Sequence, residues 1–307
     1  MSARSDTPVF SVVVPTLGRA RRLEGCLGAL ARLDYPREQL EVVVADDSGG
    51  GTIDRVASGW KDRLALRLVS TAAAGPSAAR NAGAEAARGR FIAFTDDDCE
   101  PVSGWLHALQ GALEANPGCA VGGVLVNGGR GRCAAGSQTI FDATHAHFNR
   151  DGAPPRFFAS CNLAFPADEF RALGGFEEEL KHAEDRELCA RWLRADRRFA
   201  HAPEAVVRHM RELTPREFWR QHFDYGRGAW YVRKRFDRGL GRFRIEPGFY
   251  AELARQVWRQ GKSAGRASTA ALAVTSQVAY AAGFAREGLR ARRQADPEEQ
   301  SLQEVSR

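Results

Sequence analysis

Runs of β-branched residues alternate with amphipathic stretches along the first hundred positions of the chain. Val9–Val14 (VFSVVV) is almost wholly apolar and stops at Pro15, which predicts a strand buried on both faces. Arg21–Leu33 follows, with Leu23, Leu27 and Leu30 at helical spacing. Leu40–Ala45 (LEVVVA) predicts a second strand, ending at Asp46-Asp47, and Leu64–Ser70 a weaker third. An Ala-rich helix is expected over Ser77–Arg88, and a fourth strand over Arg90–Thr95, which stops at Asp96-Asp97-Asp98. Strands alternating with helices predict an α/β fold, a mostly parallel sheet flanked by helices.

The middle of the chain is more mixed. Trp105–Glu114 predicts a helix, Cys119–Val126 a strand, Gly128–Gly136 a glycine-rich loop, Phe157–Phe165 another strand and Glu184–Ala195 an amphipathic helix. Beyond Thr214 the pattern is helical, giving a helical C-terminal extension. Ala267–Ala285 is an uncharged stretch of Ala, Ser, Thr and Gln, which reads as a packed or interfacial helix rather than a membrane span. The division expected is a flexible 1–8, a sheet domain over 9–213, a helical region over 214–293 and a disordered acidic tail over 294–307.

Composition changes this picture in two ways. The chain has 307 residues and six cysteines without a C-x-x-C pair, so neither a zinc ribbon nor a disulfide scaffold fits. With a polar start over Met1–Pro8, a reduced, cytoplasmic setting is expected. Charge is also uneven: residues 1–205 carry 24 Lys+Arg against 27 Asp+Glu, and residues 206–293 carry 19 against 7. The basic character belongs to the C-terminal third, which bears on partners rather than on fold.

Ligands of open α/β sheets bind at the carboxyl ends of the strands, and three predicted strands end in polar residues there: Pro15-Thr16, Asp46-Asp47 and Asp96-Asp97-Asp98. Consecutive carboxylates repel one another and call for a cation. If extended geometry persists, Asp96 and Asp98 share a side, a donor pair suited to Mg²⁺ or Mn²⁺ on a diphosphate. A solvated acidic loop is the bland alternative.

These segments match a known pattern. VVVPTLGR (12–19), VVVADDS (42–48), GPSAARNAG (75–83), FIAFTDDDC (91–99), SCNLAFP (160–166), LGGFEEEL (173–180) and AEDREL (183–188) together resemble the family 2 glycosyltransferases of GT-A fold, over roughly residues 9–210. The resemblance implies an inverting enzyme that moves a sugar from a nucleotide-sugar donor, UDP-linked in most of the family, to an acceptor hydroxyl. It implies nucleotide contacts from Pro15, Thr16, Arg19, Asp46, Asp47, Arg80, Asn81, Asp96 and Asp97. Asp46 would meet the base edge. Asp98, with Asp96, would hold Mn²⁺ or Mg²⁺. Glu184-Asp185 match the family's E-D pair, with Asp185 as catalytic base. Leu17-Gly18 replace the usual Tyr-Asn, and Glu177-Glu178 the usual Asp-Glu. N-terminal helix capping is the alternative for Glu184-Asp185.

His209, just after the strand-like Ala205–Val207, is a candidate third metal ligand, with a structural histidine as the alternative. His145 and His147 fit one strand face and read as solvent-facing or acceptor-loop residues. Arg220, Gln221 and Arg227, within the aromatic and basic stretch Phe218–Arg235, are candidates for a diphosphate clamp. The same stretch reads alternatively as a membrane-surface segment at the inner face of the cell membrane, or as an ordinary packed helical region. A glycan, lipid-linked or peptide acceptor fits the resemblance, and no nucleic-acid partner is expected. A non-catalytic nucleic-acid binder would leave the acidic strand ends unexplained. A nucleotidyltransferase of related fold would normally show a G-G-x-G-x-R-like loop, which the first strand lacks. G-x-G-x-x-G and G-x-x-x-x-G-K-[ST] are also missing.

Overall fold

The computed structural model of the chain describes residues 7–150, 152–236 and 246–305. Most of the expected flexible N-terminus lies outside them. Two compact units are present: residues 7–130 with 145–211, and residues 131–144 with 212–305.

The first unit is the sheet domain, mixed α/β with a mostly parallel sheet. Its strands are β1 (Phe10–Thr16), β2 (Leu40–Asp46), β3 (Leu66–Ser70), β4 (Phe91–Phe94), β5 (Cys99–Pro101), β6 (Ala120–Asn127), β7 (Leu163–Pro166) and β8 (Phe199–His209). They lie in the order β3-β2-β1-β4-β7-β6-β8-β5. β1 pairs in parallel with β2 and β4, and β2 with β3. Because β1 is central and covered on both faces, Val12–Val14 and Val42–Val44 are fully buried, as a continuous apolar run requires. β4 pairs with β1 only as far as Val13, so Pro15 sits where no ladder bond on that side needs its missing N–H.

The flanking helices are α1 (Ala20–Leu30), α2 (Thr52–Ser58), α3 (Pro76–Ala86), α4 (Trp105–Ala115), α5 (Arg132–Phe148), α6 (Ala167–Leu173) and α7 (Glu184–Arg194). Three expectations need correction. Helix α5 begins inside the glycine-rich stretch expected as a loop, because Ala134, Gly136, Thr139, Ile140 and Ala143 form a buried stripe at helical spacing. His145 and His147 therefore lie on a helix, and the His145 ring packs 5.5 Å from both Phe158 and His201 rather than facing solvent. The strand expected over 157–165 is confined to β7, with a 3-10 turn at Ser160–Asn162 before it.

That turn has a purpose. The register between β6 and β8 shifts between Gly122 and Val124, which interrupts the ladder there. Asn162 Nδ2 donates to the carbonyl oxygens of Val124 (2.9 Å) and Ala205 (2.8 Å), while Asn162 Oδ1 accepts from Trp105 Nε1 (2.8 Å). Asn162→Ala strands three buried polar groups. It should cost about 3 kcal/mol, read as a lowered thermal midpoint with intact secondary structure.

The second unit is helical: the first part of α5 with α8 (Pro215–Phe236), α9 (Pro247–Ala264) and α10 (Arg266–Val305). Ile140, Ala143, Phe218, Leu253 and Ala273 form one core cluster, and Ala229, Trp230 and Phe284 another. Helices α8 and α10 approach closely through Gly226 and Gly283, where a Cβ would run into the carbonyl oxygens of Tyr280 and Phe223 respectively. The backbone of α10 is helical over 294–305, where disorder is expected from the sequence; its Gln, Glu, Ala and Leu are good helix formers. Among the described residues, no helix is long and apolar enough to cross a membrane.

Candidate functional site

Inside the sheet domain the end of β1 meets the aspartates after β4 through Thr16 and Asp97, and Arg80 ties those aspartates to the start of α7. The backbone does not stay extended after β4. A turn closed by Cys99 N–H donating to Asp96 O (3.0 Å) sends the three aspartates in different directions, which corrects the expectation that Asp96 and Asp98 share a side.

Asp97 is fully buried. It accepts from Thr16 Oγ1 (2.7 Å) and Arg19 Nε (3.0 Å), with Arg19 Nη2 2.6 Å from its other oxygen. Burial pushes its carboxyl up despite Arg19 and Thr16. Thr16 and Arg19, expected on the nucleotide, thus hold Asp97 in place.

Asp98 is also buried, and its two oxygens face different partners. Oδ1 lies 3.3 Å from His209 Nε2; Oδ2 lies 3.2 Å from Arg22 Nη1 and 3.8 Å from Arg211 Nε. Burial acts to raise this carboxyl, but His209, Arg211 and Arg19 pull it well below the ordinary carboxylate range. His209 arrives because β5 pairs antiparallel with the end of β8, Cys99 opposite His209.

His209 Nε2 is buried, and the Asp98 oxygen at 3.3 Å is the group that faces it. A buried imidazole nitrogen beside a carboxylate oxygen fits a divalent ion of the Mn²⁺ type, which accepts mixed oxygen and nitrogen ligands. Ligand atoms of Asp98, Cys99 and His209 lie within 4.8 Å of one another. A hydrogen bond with Cys161 and burial push the Cys99 thiol up, and sulfur suits a hard Mg²⁺ or Mn²⁺ ion poorly, which leaves Asp98 and His209 as the pair. Asp96, expected as the second ligand, is not in that set. Its Oδ1 is ion-paired at 2.8 Å with Arg80 Nη2.

Arg80 is the junction of the site. Buried on α3, it also donates from Nη1 to Glu184 Oε1 (2.9 Å), so one guanidinium bridges the end of β4 and the start of α7. Burial acts to lower its proton affinity, but Asp96 and Glu184 more than offset that. Arg80 thus pairs with protein carboxylates where a nucleotide contact was expected. Asn81, on the same helix, is committed to the turn after α6: its Nδ2 donates to Phe176 O (2.9 Å) and Glu178 Oε1 (2.9 Å), and its Oδ1 accepts from Phe176 N–H (2.8 Å).

Asp185 is half-buried at the first turn of α7, where its Oδ1 accepts from Arg186 N–H (2.7 Å). Desolvation and the neighbouring Glu184 push its carboxyl up to about 7, against the opposing pull of Arg186 and Arg80. Ala183, immediately before, has a left-handed backbone (φ 62°), unusual for a residue with a Cβ. The N-cap position itself is Ala183, which has no side chain to cap the helix; Asp185 takes up a first-turn N–H instead, and both acidic residues lie at the positive end of the helix.

At the end of β2 the two aspartates differ. Asp47 accepts from Thr71 Oγ1 (2.6 Å) and from the N–H groups of Ala74 and Gly75 (2.8 Å each), so it shapes the loop before α3. Asp46 Oδ1 accepts from Ser48 N–H (3.0 Å), two residues on. In the helical unit, Arg227 donates to Glu287 (2.6 Å) and Asp224 (3.2 Å), Gln221 donates to Ser137 (2.7 Å), and Arg220 is exposed. The bonds of Arg227 to Glu287 and Asp224 and of Gln221 to Ser137 lie within the helical unit. Arg22 and Arg211 were not anticipated. Arg22 follows Arg19 by three residues and Arg211 follows His209 by two, which is the spacing that keeps each pair on one side.

The glycosyl transferase family 2 profile matches residues 11–165. The chain belongs to that family. It is 29% identical over 214 residues to the validoxylamine A glucosyltransferase of Streptomyces hygroscopicus, covering 58% of this chain and 49% of that protein. It is 27% identical over 231 residues to the pre-mycofactocin glycosyltransferase of Mycobacterium tuberculosis, covering 71% and 46%. The chain therefore spans about half the length of these two relatives. Among solved structures, the mannosyltransferase PcManGT of Pyrobaculum calidifontis, in complex with GDP-Man and Mn²⁺, superposes with a TM-score of 0.61 at 22% identity, covering 94% of this chain and 81% of that one. Residues 1–349 of TarS of Staphylococcus aureus superpose with a TM-score of 0.53 at 18% identity, covering 91% of each chain. At these identities the likeness is one of fold.

Proposed function

We propose that this chain is an inverting glycosyltransferase that moves one sugar from a nucleotide-sugar donor to an acceptor hydroxyl of a glycolipid, cell-envelope polysaccharide or other glycoconjugate. The single observation that carries the reading is Asp185. It is a part-buried carboxyl held near neutral pH, and its neighbour Glu184 is tied through Arg80 to the acidic end of β4. A base of that strength suits removal of the acceptor proton as the acceptor oxygen attacks the anomeric carbon. The new C–O bond forms as the bond to the diphosphate breaks on the opposite face, and the proton passes to an Asp185 oxygen. A divalent ion held by Asp98 and His209 would supply charge neutralisation at the leaving diphosphate. The Mn²⁺ and GDP-Man of the Pyrobaculum neighbour and the glucosyltransferase named among the relatives support this chemistry.

The test is thermal stability with UDP, GDP and dTDP, each with and without Mn²⁺, for the wild type and Asp98→Ala. A nucleotide at about 100 times its dissociation constant adds about 2.7 kcal/mol. A metal-dependent shift with one nucleotide, lost in the variant, is expected. No shift with any of them sinks the proposal.

A further inference from the structure

Asp97 and Asp98 are buried carboxylates compensated by guanidiniums that reach the surface: the side chains of Arg19, Arg22 and Arg211 are 41%, 40% and 33% exposed. Three cations thus face two anions, and each guanidinium presents an outward side to solvent. Arg22 reaches in from α1 and Arg211 from the segment after β8. They converge on the same oxygen, Asp98 Oδ2, and leave Oδ1 to His209. The arrangement has two consequences. A divalent ion between Asp98 Oδ1 and His209 Nε2 meets two guanidiniums across one carboxylate, and that repulsion weakens its binding. Once an ion is bound, the excess of positive charge favours a diphosphate, for which the part-exposed side chains of Arg22 and Arg211 are suitable forked donors.

We infer that Arg22 and Arg211 bind the diphosphate of the donor and, until it arrives, hold the divalent ion off Asp98, so that metal and donor bind cooperatively. This rests on the metal and diphosphate reading of the site given above. The coupling is reciprocal: whatever the anion adds to metal affinity, the metal adds to anion affinity. The two residues are positioning and binding groups, not catalytic ones.

Opposite effects of one substitution on two ligands test the inference. Mn²⁺ alone is titrated against the full chain by the electron paramagnetic resonance signal of the free ion. Inorganic pyrophosphate is then titrated calorimetrically at saturating Mn²⁺. For Arg22→Gln and Arg211→Gln, Mn²⁺ alone is expected to bind about threefold tighter or more, the size of a partly screened like charge removed. Pyrophosphate is expected to bind about tenfold more weakly, the loss of a charge-assisted contact. Arg88→Gln, whose side chain pairs with Glu41 at 2.9 Å, should change neither affinity. The two variants lie on separate elements and alter part-exposed side chains, so each is an independent trial. Weaker pyrophosphate binding without tighter Mn²⁺ binding overturns the coupling, and no change in either ligand overturns both roles. If the wild type itself takes neither Mn²⁺ nor pyrophosphate, the site reading fails before the variants are compared.

Discussion

Asp185→Asn is expected to lower sugar transfer by about a thousandfold, within the range general-base catalysis contributes, while nucleotide and Mn²⁺ affinities stay near wild type. The variant should also be the more stable protein above neutral pH. The folded carboxyl is pushed up to about 7, whereas the unfolded chain releases that proton at the ordinary aspartate value of 3.8. Between those values the native state holds more protons than the unfolded one, so wild-type stability falls as pH rises across that window. Asparagine removes this loss, worth about 1–2 kcal/mol after allowance for partial exposure. Transfer assays with thermal melts at pH 5 and pH 8 measure both effects. Near wild-type turnover would dismiss Asp185 as the base, and a stability gap that does not widen with pH would dismiss its elevated proton affinity.

Arg80→Met should be the most damaging single change at the site for stability. It leaves Asp96 and the part-buried Glu184 without their shared cation, a loss of about 3–5 kcal/mol by the usual cost of breaking a buried pair. Arg80→Lys keeps the charge but not the fork, since one ammonium does not reproduce two parallel contacts, and should recover only part of the loss. The pH profile gives a second reading. Arg80 lowers the proton affinity of Asp185, so the rising limb of the rate should move to higher pH in Arg80→Met and return with lysine. A change in stability with no movement of that limb would confine Arg80 to a structural role.

Much of this was legible in the chain. The β-branched runs before Pro15, Asp46 and Asp96 mark the central strands, because a strand buried on both faces has no polar face to disguise it. The sequence alone sets Asp98 at the end of the fourth strand and His209 just after Ala205–Val207, but not side by side. What was lost is what depends on partners distant in sequence. Asn162 reads as part of a short motif, and nothing local announces that it repairs a register shift between β6 and β8. Arg80 and Asn81 were nominated for a nucleotide by position, yet their partners, Glu184 and Phe176, lie on segments about a hundred residues further on. Helix α5 was hidden because glycines mark loops by composition, while its buried stripe shows only when the 3.6-residue period is followed through them.

The pairing of Cys99 with His209 has a consequence for the order in which the protein is made. Strands β1 to β4, with Asp46 and the three aspartates, emerge from the ribosome early and pair in parallel among themselves, whereas β6 and β8 form their own parallel pair later. The edge position taken by β5 is completed only when β8 has been synthesised and laid against it. A nascent chain can therefore carry the strand ends of β1, β2 and β4 while Asp98 still lacks His209, and under the metal reading proposed above the pair would come together only when residue 209 has cleared the exit tunnel. Stalled chains ending before and after that point, assayed for Mn²⁺-dependent protection from protease, would date the event.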